Sequence, residues 1–360
     1  MPKPIRIKFL SKTTAEDIQA IWSPLIPSTG FKNVEFTFDI TDQNYDFLAV
    51  YEGLPKWSDR KTVDRFEPLS CARSNTLLIT TEPDSIRIDG PHFMRQFGYI
   101  LSNKSPKLIR HSNHIQQTPA LRWFYGRPMD GQGDWLTVDQ LSKSPPKKTA
   151  DLSTVCSTKQ MSHTIHAARL DFVMKLRERL KTLEVYGRGI RPISDKAEAM
   201  RDYRYHIAIE NHIEPGHWTE KLADCFLAGC LPFYFGDPEY HKVFPQDSVI
   251  PIDIFNFEGS ENIIRKAILE DEYTKRQTSL LEARHRILTQ HNILNWISKF
   301  VMDANLNLPG NERDRIYSRH AFRKKRPIKA LSDLGFRTVA KFQPSAQPLQ
   351  LKRPSSYQAN

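Results

Sequence analysis

The segment Tyr203–Pro238 constrains the fold of this chain more than any other, because its pattern predicts a strand, a loop, a helix and a second strand in succession. The apolar run His206–Ile209 predicts the first strand. A helix is expected between Thr219, a residue type that caps helix N-termini, and Gly229, the type that ends helices. The apolar run Cys230–Phe235 is typical of a parallel strand covered on both faces. The segment is therefore predicted to be a β-α-β unit.

Charged side chains collect where this unit passes from strand to helix. Lys221 falls in the first turn of the predicted helix, where the helix dipole disfavours a cation by about 0.3–1 kcal/mol. Two explanations are open, a solvated lysine or a lysine that shares a bound phosphate with the free N–H groups of the helix. In the second case the neighbouring Glu220 could accept hydrogen bonds from sugar hydroxyls. The ends of parallel strands are also where α/β folds bind anionic ligands.

The rest of the chain alternates strand and helix patterns in two halves, which predicts two α/β domains with parallel sheets. Its 360 residues suffice for two cores. Residues 126–150, rich in Gly, Ser, Pro and Lys, are predicted to be a linker, so the domains are expected at 1–148 and 149–309. The predicted strands of the first half are Ile5–Leu10, Val34–Ile40, Tyr45–Tyr51, Leu77–Thr81 and Tyr99–Ser102. Helical or loop segments, notably Thr14–Trp22, separate these strands, and two long helices are predicted at Asn262–Ile268 and Tyr273–Val301.

Five features of the β-α-β unit occur in the order of a known family signature. A strand ends in Glu-Asn, a loop leads to Thr-Glu-Lys, a helix ends in Ala-Gly, and an apolar strand contains Pro and ends in Gly. These features are Glu210–Asn211, Thr219–Lys221, Ala228–Gly229, Pro232 and Gly236. The segment resembles glycosyltransferase family 10, the α1,3/4-fucosyltransferases that use GDP-fucose. The resemblance implies the GT-B fold, in which two Rossmann-like domains face a cleft.

The resemblance covers roughly residues 155–270 and also implies donor-binding residues. Arg169, which opens a helix, and Lys221 would stabilise the leaving GDP. The nucleotide end of the donor would be held by Asn211, His217, Thr219 and Glu220. The position of His217 is usually Tyr in bacterial relatives, which leaves open a GDP-linked deoxysugar other than fucose. The chain has no Asp-X-Asp motif, and the two cations can neutralise the leaving group, so no metal ion is expected to be required.

Inversion at the anomeric carbon needs a base that takes the proton of the acceptor hydroxyl. Leu77–Pro83 resembles the family's strand that ends in a glutamate, which implies Glu82 as the base; a carboxylate that only caps the next turn is the alternative. Glu210 is the second catalytic candidate, as a base or as a contact to the sugar. Several histidines lie in the site region, and their spacing fits no metal site. They are His163, His166, His206, His212 and His241.

Cysteine usage and hydropathy predict the setting of the protein. The four cysteines, Cys71, Cys156, Cys225 and Cys230, show no metal-binding spacing. Two of them lie in segments that are predicted to be buried, which favours a reduced, cytoplasmic environment. No apolar run approaches the ~18 residues of a membrane-spanning helix, and the N-terminus leads directly into a predicted strand. Neither a membrane anchor nor a signal peptide is expected, which favours a bacterial-type, cytoplasmic member of the family.

Basic residues are concentrated at the end of the chain. Residues 312–360 hold twelve Lys or Arg and three Asp or Glu, a net charge of +9 within the +11 of the whole chain. With its Pro, Ser and Gln-rich end, 310–360 is predicted to be a basic, partly disordered tail. Peripheral attachment to an anionic membrane is the favoured role, at about 1 kcal/mol per basic residue near the surface. Nucleic-acid binding and a merely solvated tail are the alternatives.

These observations together predict an inverting, metal-independent fucosyltransferase. It would move fucose from GDP-fucose to a hydroxyl, by an α1,3 linkage to a GlcNAc-type residue, of a surface glycan such as lipopolysaccharide. No cofactor is expected besides the donor substrate. The alternatives are a transferase for a different GDP-deoxysugar, and a non-catalytic protein that binds nucleic acid or glycans through the basic tail.

Overall fold

The computed structural model describes residues 3–56, 64–84, 86–118, 122–128, 135–158, 165–304, 306 and 314–341. The chain divides into two compact units. The first unit is built from the described residues of 1–120 and 293–348, and the second from those of 121–292. The chain therefore passes from the first unit to the second near residue 120 and returns near residue 293. The predicted boundaries at 148/149 and 309/310 do not coincide with these passages.

The first unit is built on a parallel β-sheet. The described strands of this unit, numbered along the whole chain, are β1 (Ile5–Ser11), β2 (Val34–Thr37), β3 (Phe47–Tyr51), β4 (Phe66–Pro68), β5 (Thr76–Ile79), β6 (Tyr99–Ser102), β7 (His114–Gln116) and β13 (Arg315–Tyr317). The sheet order is β2-β1-β3-β5-β6-β7, and every neighbouring pair in it is parallel. The five strands predicted for the first half are confirmed. Two further strands of three residues each, β4 and β7, are too short to give a periodic signal.

The helices of the first unit come from both ends of the chain. They are α1 (Asp17–Trp22), α2 (Pro91–Met94), α9 (Ile293–Asp303), α10 (Arg319–Lys325) and α11 (Pro327–Lys341). A buried apolar cluster holds the parts together, with Leu48 and Val50 of β3 beside Ile316 of β13 and Phe322 of α10. The segment that follows residue 314 is thus part of the core of the first unit.

Residues 314–341 of the predicted basic, partly disordered tail are folded as part of the first unit. Strand β13 pairs antiparallel with β4. Nε and Nη2 of Arg319 each donate to the carboxylate of Asp89 at 2.6 Å. The carboxylate of Asp333 on α11 accepts the backbone N–H groups of His92 and Phe93 at 2.9 Å, and so caps α2. Residues 342–360 lie outside the described part.

The second unit has its own parallel sheet. Its described strands are β8 (Ala150–Val155), β9 (Leu183–Tyr186), β10 (Tyr203–Ile209), β11 (Leu231–Phe235) and β12 (Ile250–Pro251), in the order β12-β11-β10-β8-β9. Its helices are α3 (Val138–Ser142), α4 (His166–Arg179), α5 (Glu220–Ala228), α6 (Phe257–Leu269), α7 (Glu272–Lys275) and α8 (Gln277–Thr289). Two parallel α/β units agree with the predicted fold class.

Two predictions for the second half need correction. The predicted linker, 126–150, contains α3, which begins with a capping box between Thr137 and Gln140. The single helix predicted for Tyr273–Val301 is three helices, α7, α8 and α9, of which α9 belongs to the first unit. Each of the two longer helices buries an apolar stripe, and no Gly or Pro marks the breaks between them. The helical spacing of apolar residues therefore continues across the breaks, so the sequence pattern does not reveal where one helix ends and the next begins.

No helix within the described ranges has both the length and the apolar sequence that crossing a bilayer requires.

Removal of the Asp333 carboxylate is expected to loosen the C-terminal helices from the first unit. Asp333→Ala leaves two N–H groups of α2 without an acceptor, and lost helix caps of this kind cost about 1–2 kcal/mol. Urea denaturation should show that loss in the free energy of unfolding. Asp303→Ala, which removes an exposed carboxylate of α9, should change it by less than about 0.5 kcal/mol. Equal effects of the two substitutions would contradict the capping role.

Candidate functional site

The candidate site lies where β10 ends and α5 begins in the second unit. Glu210 and Asn211 follow the last residue of β10, and the Thr219 side chain caps α5 by accepting the Lys221 backbone N–H at 3.3 Å. Gly229 ends the helix in the left-handed conformation, with φ of 73°. The predicted strand, the N-cap at Thr219, the helix and its end at Gly229 are all confirmed.

Glu210 is fully buried and holds the start of α5 in place. One carboxylate oxygen accepts the backbone N–H of Thr219 at 2.9 Å, and the other accepts the Thr219 hydroxyl at 2.6 Å and the Lys221 ammonium at 3.2 Å. A Cβ on Gly236 would lie 2.5 Å from Cγ of Glu210, so only glycine fits beside it. With both oxygens occupied by protein donors, Glu210 fixes the position of the first turn of α5. Its catalytic role, as a base or as a contact to the sugar, stays a prediction.

Lys221 is held between two carboxylates at the N-terminus of α5. Its ammonium lies 3.2 Å from Glu210 and 3.2 Å from Glu220. Burial acts to lower the pKa of Lys221, but the two carboxylates outweigh it and raise the pKa above its usual range. The charge on Lys221 is therefore permanent at neutral pH. Its side chain remains about one-fifth exposed, at 21%.

Glu220 connects Lys221 to a second lysine, Lys196. The Lys196 ammonium lies 3.9 Å from Glu220 and 2.7 Å from the buried carboxylate of Asp224. Burial acts to raise the pKa of Glu220, but Lys221 and Lys196 together lower it, so Glu220 is ionised. Asp224 in turn accepts the backbone N–H groups of Phe124 and Tyr125 at 2.7 and 2.9 Å. Carboxylates and lysines thus alternate along one side of the site.

Arg169 brings a second cation to the site. It lies in the first turn of α4, and its guanidinium donates to the side-chain oxygen of Asn211 at 2.8 Å. The residue is buried, and its Nε–H has no hydrogen-bond partner among the described residues. A buried N–H without an acceptor costs about 1–3 kcal/mol. Arg169 therefore has a donor left over for a ligand.

His217 and Trp218 lie inside the second unit. His217 is buried. The ring of Trp218 packs against Phe244 and His291, each with ring centroids 5.1 Å apart. Of the other histidines, His206 is buried and bonded to the Ser153 hydroxyl at 2.8 Å, and burial lowers its pKa to about 3. His163 lies outside the described residues.

Asp237 is a site residue that the sequence analysis missed. It follows β11, is fully buried, and accepts the backbone N–H groups of Gly216 and Glu239 at 2.8 Å each. Its second oxygen has no hydrogen-bond partner among the described residues. Burial, opposed by the two backbone hydrogen bonds, raises the pKa of Asp237 to about 6. The only sequence signal for this residue is its place directly after the apolar strand and Gly236.

Glu82 belongs to the first unit, three residues after β5. Its side chain is 41% exposed, and one carboxylate oxygen lies 3.8 Å from the guanidinium of Arg87. The other arm of Arg87 binds Glu52, a buried carboxylate that also accepts the hydroxyl of Thr81 at 2.7 Å. Glu52 was not predicted, although its backbone adopts φ of 65°, which is uncommon for a glutamate. Glu82 is the more accessible of the two carboxylates.

The structure thus brings together seven of the eight predicted site residues within the second unit and places the eighth, Glu82, in the first. Within the described ranges, no three His, Cys, Asp or Glu side chains are grouped as they would be around a metal ion.

Residues 145–267 match the family model described as "Glycosyltransferase family 10 (fucosyltransferase) C-term". The matched segment makes up about a third of the 360 residues of the chain. It contains every strand of the second sheet and the whole of the candidate site around α5.

Curated relatives match the chain over a short range. The chain is 30% identical over 95 residues to 4-galactosyl-N-acetylglucosaminide 3-alpha-L-fucosyltransferase FUT6 of Pongo pygmaeus, with 25% of this chain and 26% of the relative covered. It is 31% identical over 94 residues to 3-galactosyl-N-acetylglucosaminide 4-alpha-L-fucosyltransferase FUT3 of Homo sapiens, with 25% and 26% covered. The chain therefore spans about a quarter of the length of these relatives.

Solved structures resemble the chain over a longer range at lower identity. An α1,3-fucosyltransferase crystallised with GDP-fucose matches with a TM-score of 0.48 and 14% identity, over 86% of this chain and 94% of the other. An α-glucosyltransferase in complex with UDP matches with a TM-score of 0.48 and 11% identity, over 83% and 99%.

Asp237 is expected to make stability depend on pH between about 4 and 6. Its pKa is higher in the folded state, about 6, than its ordinary value of 3.8, so the folded state binds the proton more tightly and gains stability as the pH falls through 6. Asp237→Asn should remove this gain. The difference in free energy of unfolding between wild type and variant should change by about 2 kcal/mol between pH 7 and pH 4.5.

The pH series by urea denaturation should include Asp202→Asn, which neutralises an exposed carboxylate of the same unit. The raised pKa of Asp237 is contradicted if the difference in free energy of unfolding between wild type and Asp237→Asn changes with pH no more than the difference between wild type and Asp202→Asn.

Proposed function

We propose that the chain is an inverting fucosyltransferase that takes fucose from GDP-fucose and does not require a metal ion. The observation that carries the proposal is the pair of cations, Lys221 and Arg169, at the N-termini of two helices that follow neighbouring strands. Each cation lies where the helix dipole disfavours it, and the Nε–H of Arg169 has no hydrogen-bond partner in the described part of the chain. A bound diphosphate would satisfy both conditions at once.

The chemistry requires negative charge to be stabilised on the donor side. The bond between the anomeric carbon and the β-phosphate oxygen breaks, and its electron pair leaves with GDP. Arg169 and Lys221 neutralise that charge, while Asn211 orients the guanidinium and Glu210 with Thr219 fixes the ammonium. Preorganised donors of this kind lower the barrier without the reorganisation that water would need. Glu220 would accept hydrogen bonds from the ribose hydroxyls, and His217 would serve the nucleotide end of the pocket.

We assign the base to Glu82. The acceptor hydroxyl oxygen attacks the anomeric carbon from the face opposite the leaving diphosphate, which inverts the configuration, and its proton passes to the carboxylate. Glu82 suits this role because its carboxylate is accessible, whereas Glu52 beside it is buried and bonded to Arg87 and Thr81.

The donor sugar and the acceptor follow from the relatives. Several are named as 3-alpha- or 4-alpha-L-fucosyltransferases that act on galactosyl-N-acetylglucosaminide, so we propose α1,3 transfer to a GlcNAc-type residue of a surface glycan such as lipopolysaccharide. A different GDP-linked deoxysugar is the second candidate, because His217 replaces the tyrosine usual in bacterial relatives. Binding of nucleic acid or glycan without turnover is the third.

Donor turnover in EDTA tests the proposal. GDP-fucose, GDP-mannose and UDP-sugars would be compared for hydrolysis and for transfer to N-acetyllactosamine. GDP-fucose is expected to be the preferred donor, and Lys221→Ala should lower kcat/KM by about 10²–10³, the usual effect of removing one preorganised donor. Glu82→Gln should lower kcat for transfer by about 10²–10⁴ and leave the Kd of GDP unchanged.

The matched control is Lys181→Ala, which removes an exposed lysine of the same unit and should leave turnover within about two-fold. If another GDP-sugar is the preferred donor, that sugar takes the place of fucose in the proposal. If turnover requires added metal ions, the metal-independent mechanism is wrong. If no guanine nucleotide binds, the transferase proposal fails and nucleic-acid binding by the C-terminal segment becomes the function to test.

We also propose that helix α11 attaches the protein to anionic membranes. Ile328, Leu331 and Val339 are exposed at 86%, 69% and 61%, and their spacing places them on one face of the helix. Four basic residues lie just before Ile328 or directly after it in the sequence, namely Lys324, Lys325, Arg326 and Lys329. An apolar face beside clustered cations is the composition of helices that lie in the plane of a bilayer surface.

Sedimentation with lipid vesicles tests the membrane proposal. The wild type should bind vesicles that contain phosphatidylglycerol and not vesicles of phosphatidylcholine alone, with binding lost in high salt. Ile328→Asp should weaken binding by about 10-fold, since it places a charge in the apolar face. Leu269→Asp is the control, because Leu269 is equally exposed, at 87%, but lies on α6 of the second unit. Equal effects of both variants would contradict a specific role of α11.

A further inference from the structure

The first unit contains a cavity of about 180 Å³ that the proposed chemistry leaves unused. Its floor is apolar, with Val50 and Leu78 from the sheet and Phe93 and Phe97 from the region of α2. The volume is well above the roughly 30 Å³ that one water molecule occupies. The cavity can therefore hold a group of several heavy atoms.

The polar side chains that line the cavity are strongly basic. Four of the described lining residues are Lys or Arg, one is His320, and none is Asp or Glu; the four are Lys12, Arg87, Arg319 and Arg323. Two of the cations are fixed, because Arg87 binds Glu52 and Arg319 binds Asp89. A Cβ on Gly53 would lie 3.1 Å from the Arg319 guanidinium, so the glycine allows this arginine to lie close against the backbone.

The other two cations have no ion pair or hydrogen bond of their side chains within the described part of the chain. They are Lys12, which follows β1, and Arg323 on α10. Partial burial, Arg87 and Arg319 together lower the pKa of Lys12, although Glu52 and Glu82 act against them. The cavity therefore has an excess of positive charge at its mouth.

The cavity adjoins the proposed base through one side chain. Arg87 lines the cavity, and its guanidinium lies 3.8 Å from the Glu82 carboxylate. A sugar whose hydroxyl donates to Glu82 would thus have a neighbouring substituent within reach of Arg87. An acceptor with a negatively charged substituent fits this arrangement better than a neutral one.

We propose that this cavity binds the carboxylate or phosphate of an anionic acceptor glycan, and that Lys12 and Arg323 determine the preference for such acceptors. This inference rests on the proposed transferase function. The apolar floor would lie under the carbon face of the sugar, and the basic rim would pair with the charged substituent. Both residues act on acceptor binding and take no part in bond breaking.

The test compares acceptors that differ only in charge. The full-length wild type and the double variant Lys12→Gln/Arg323→Gln would be given neutral N-acetyllactosamine, its uronic-acid form and its 6-phosphate form. The wild type should show a KM at least about 10-fold lower for one or both charged acceptors, and the variant should lose that preference, with kcat and the KM for the neutral acceptor unchanged. Comparison of the two charged acceptors distinguishes a carboxylate from a phosphate.

The control is Arg95→Gln/Lys107→Gln, which removes two exposed cations of the first unit away from the cavity. If this control lowers the preference as much as the cavity variant does, the effect comes from net charge and the proposal is overturned. Equal KM values of the wild type for charged and neutral acceptors also overturn it.

Two further measurements separate this inference from the transferase function. GDP-fucose hydrolysis without acceptor should be the same in wild type and in the cavity variant. Titration of the full chain with glucuronate and inorganic phosphate by calorimetry tests the cavity without any turnover. Saturable binding that the Lys12/Arg323 variant loses supports the anion site even if no transfer is found, and absence of binding in the wild type overturns it.

Discussion

The hydrogen bonds of the buried Glu210 carboxylate determine the geometry of the second unit's site. Carrying a carboxylate out of water costs several kcal/mol unless donors surround it, and here the donors are the backbone and hydroxyl of Thr219 and the ammonium of Lys221. The carboxylate therefore fixes both the first turn of α5 and the position of its cation. The absence of a side chain at Gly236 is what allows Glu210 to fit against the neighbouring strand.

The same principle extends outward through alternating charges. Lys221 contacts Glu220, Glu220 contacts Lys196, and Lys196 contacts Asp224, which in turn holds the backbone of residues 124 and 125. A series of this kind pairs each buried charge with the next. The Nε–H of Arg169 has no hydrogen-bond partner among the described residues, so the site combines a rigid frame of paired charges with a donor to which an anion can bind.

Local chemistry explains what the sequence could predict. Thr219 and Gly229 mark the ends of α5 through caps that involve only nearby residues, and the five predicted strands of the first half have apolar residues in consecutive or alternating positions. The contacts that were missed join distant parts of the chain. Asp224 binds residues 100 positions away, and Arg319 binds Asp89 from 230 positions away. The charge density of 319–326 therefore gave no sign that Ile316 and Phe322 are core residues of the first unit.

The return of the chain to the first unit has a consequence for the order of folding during synthesis. The ribosome releases the N-terminal half of a chain first, and most proteins fold domain by domain in that direction. Here β4 has no partner until β13 emerges, and α2 has no cap until Asp333 emerges, more than 240 residues later. The second unit, whose described strands lie between residues 150 and 251, can complete its sheet first. The first 120 residues must keep their apolar strands from aggregating until residues 315–333 have been synthesised.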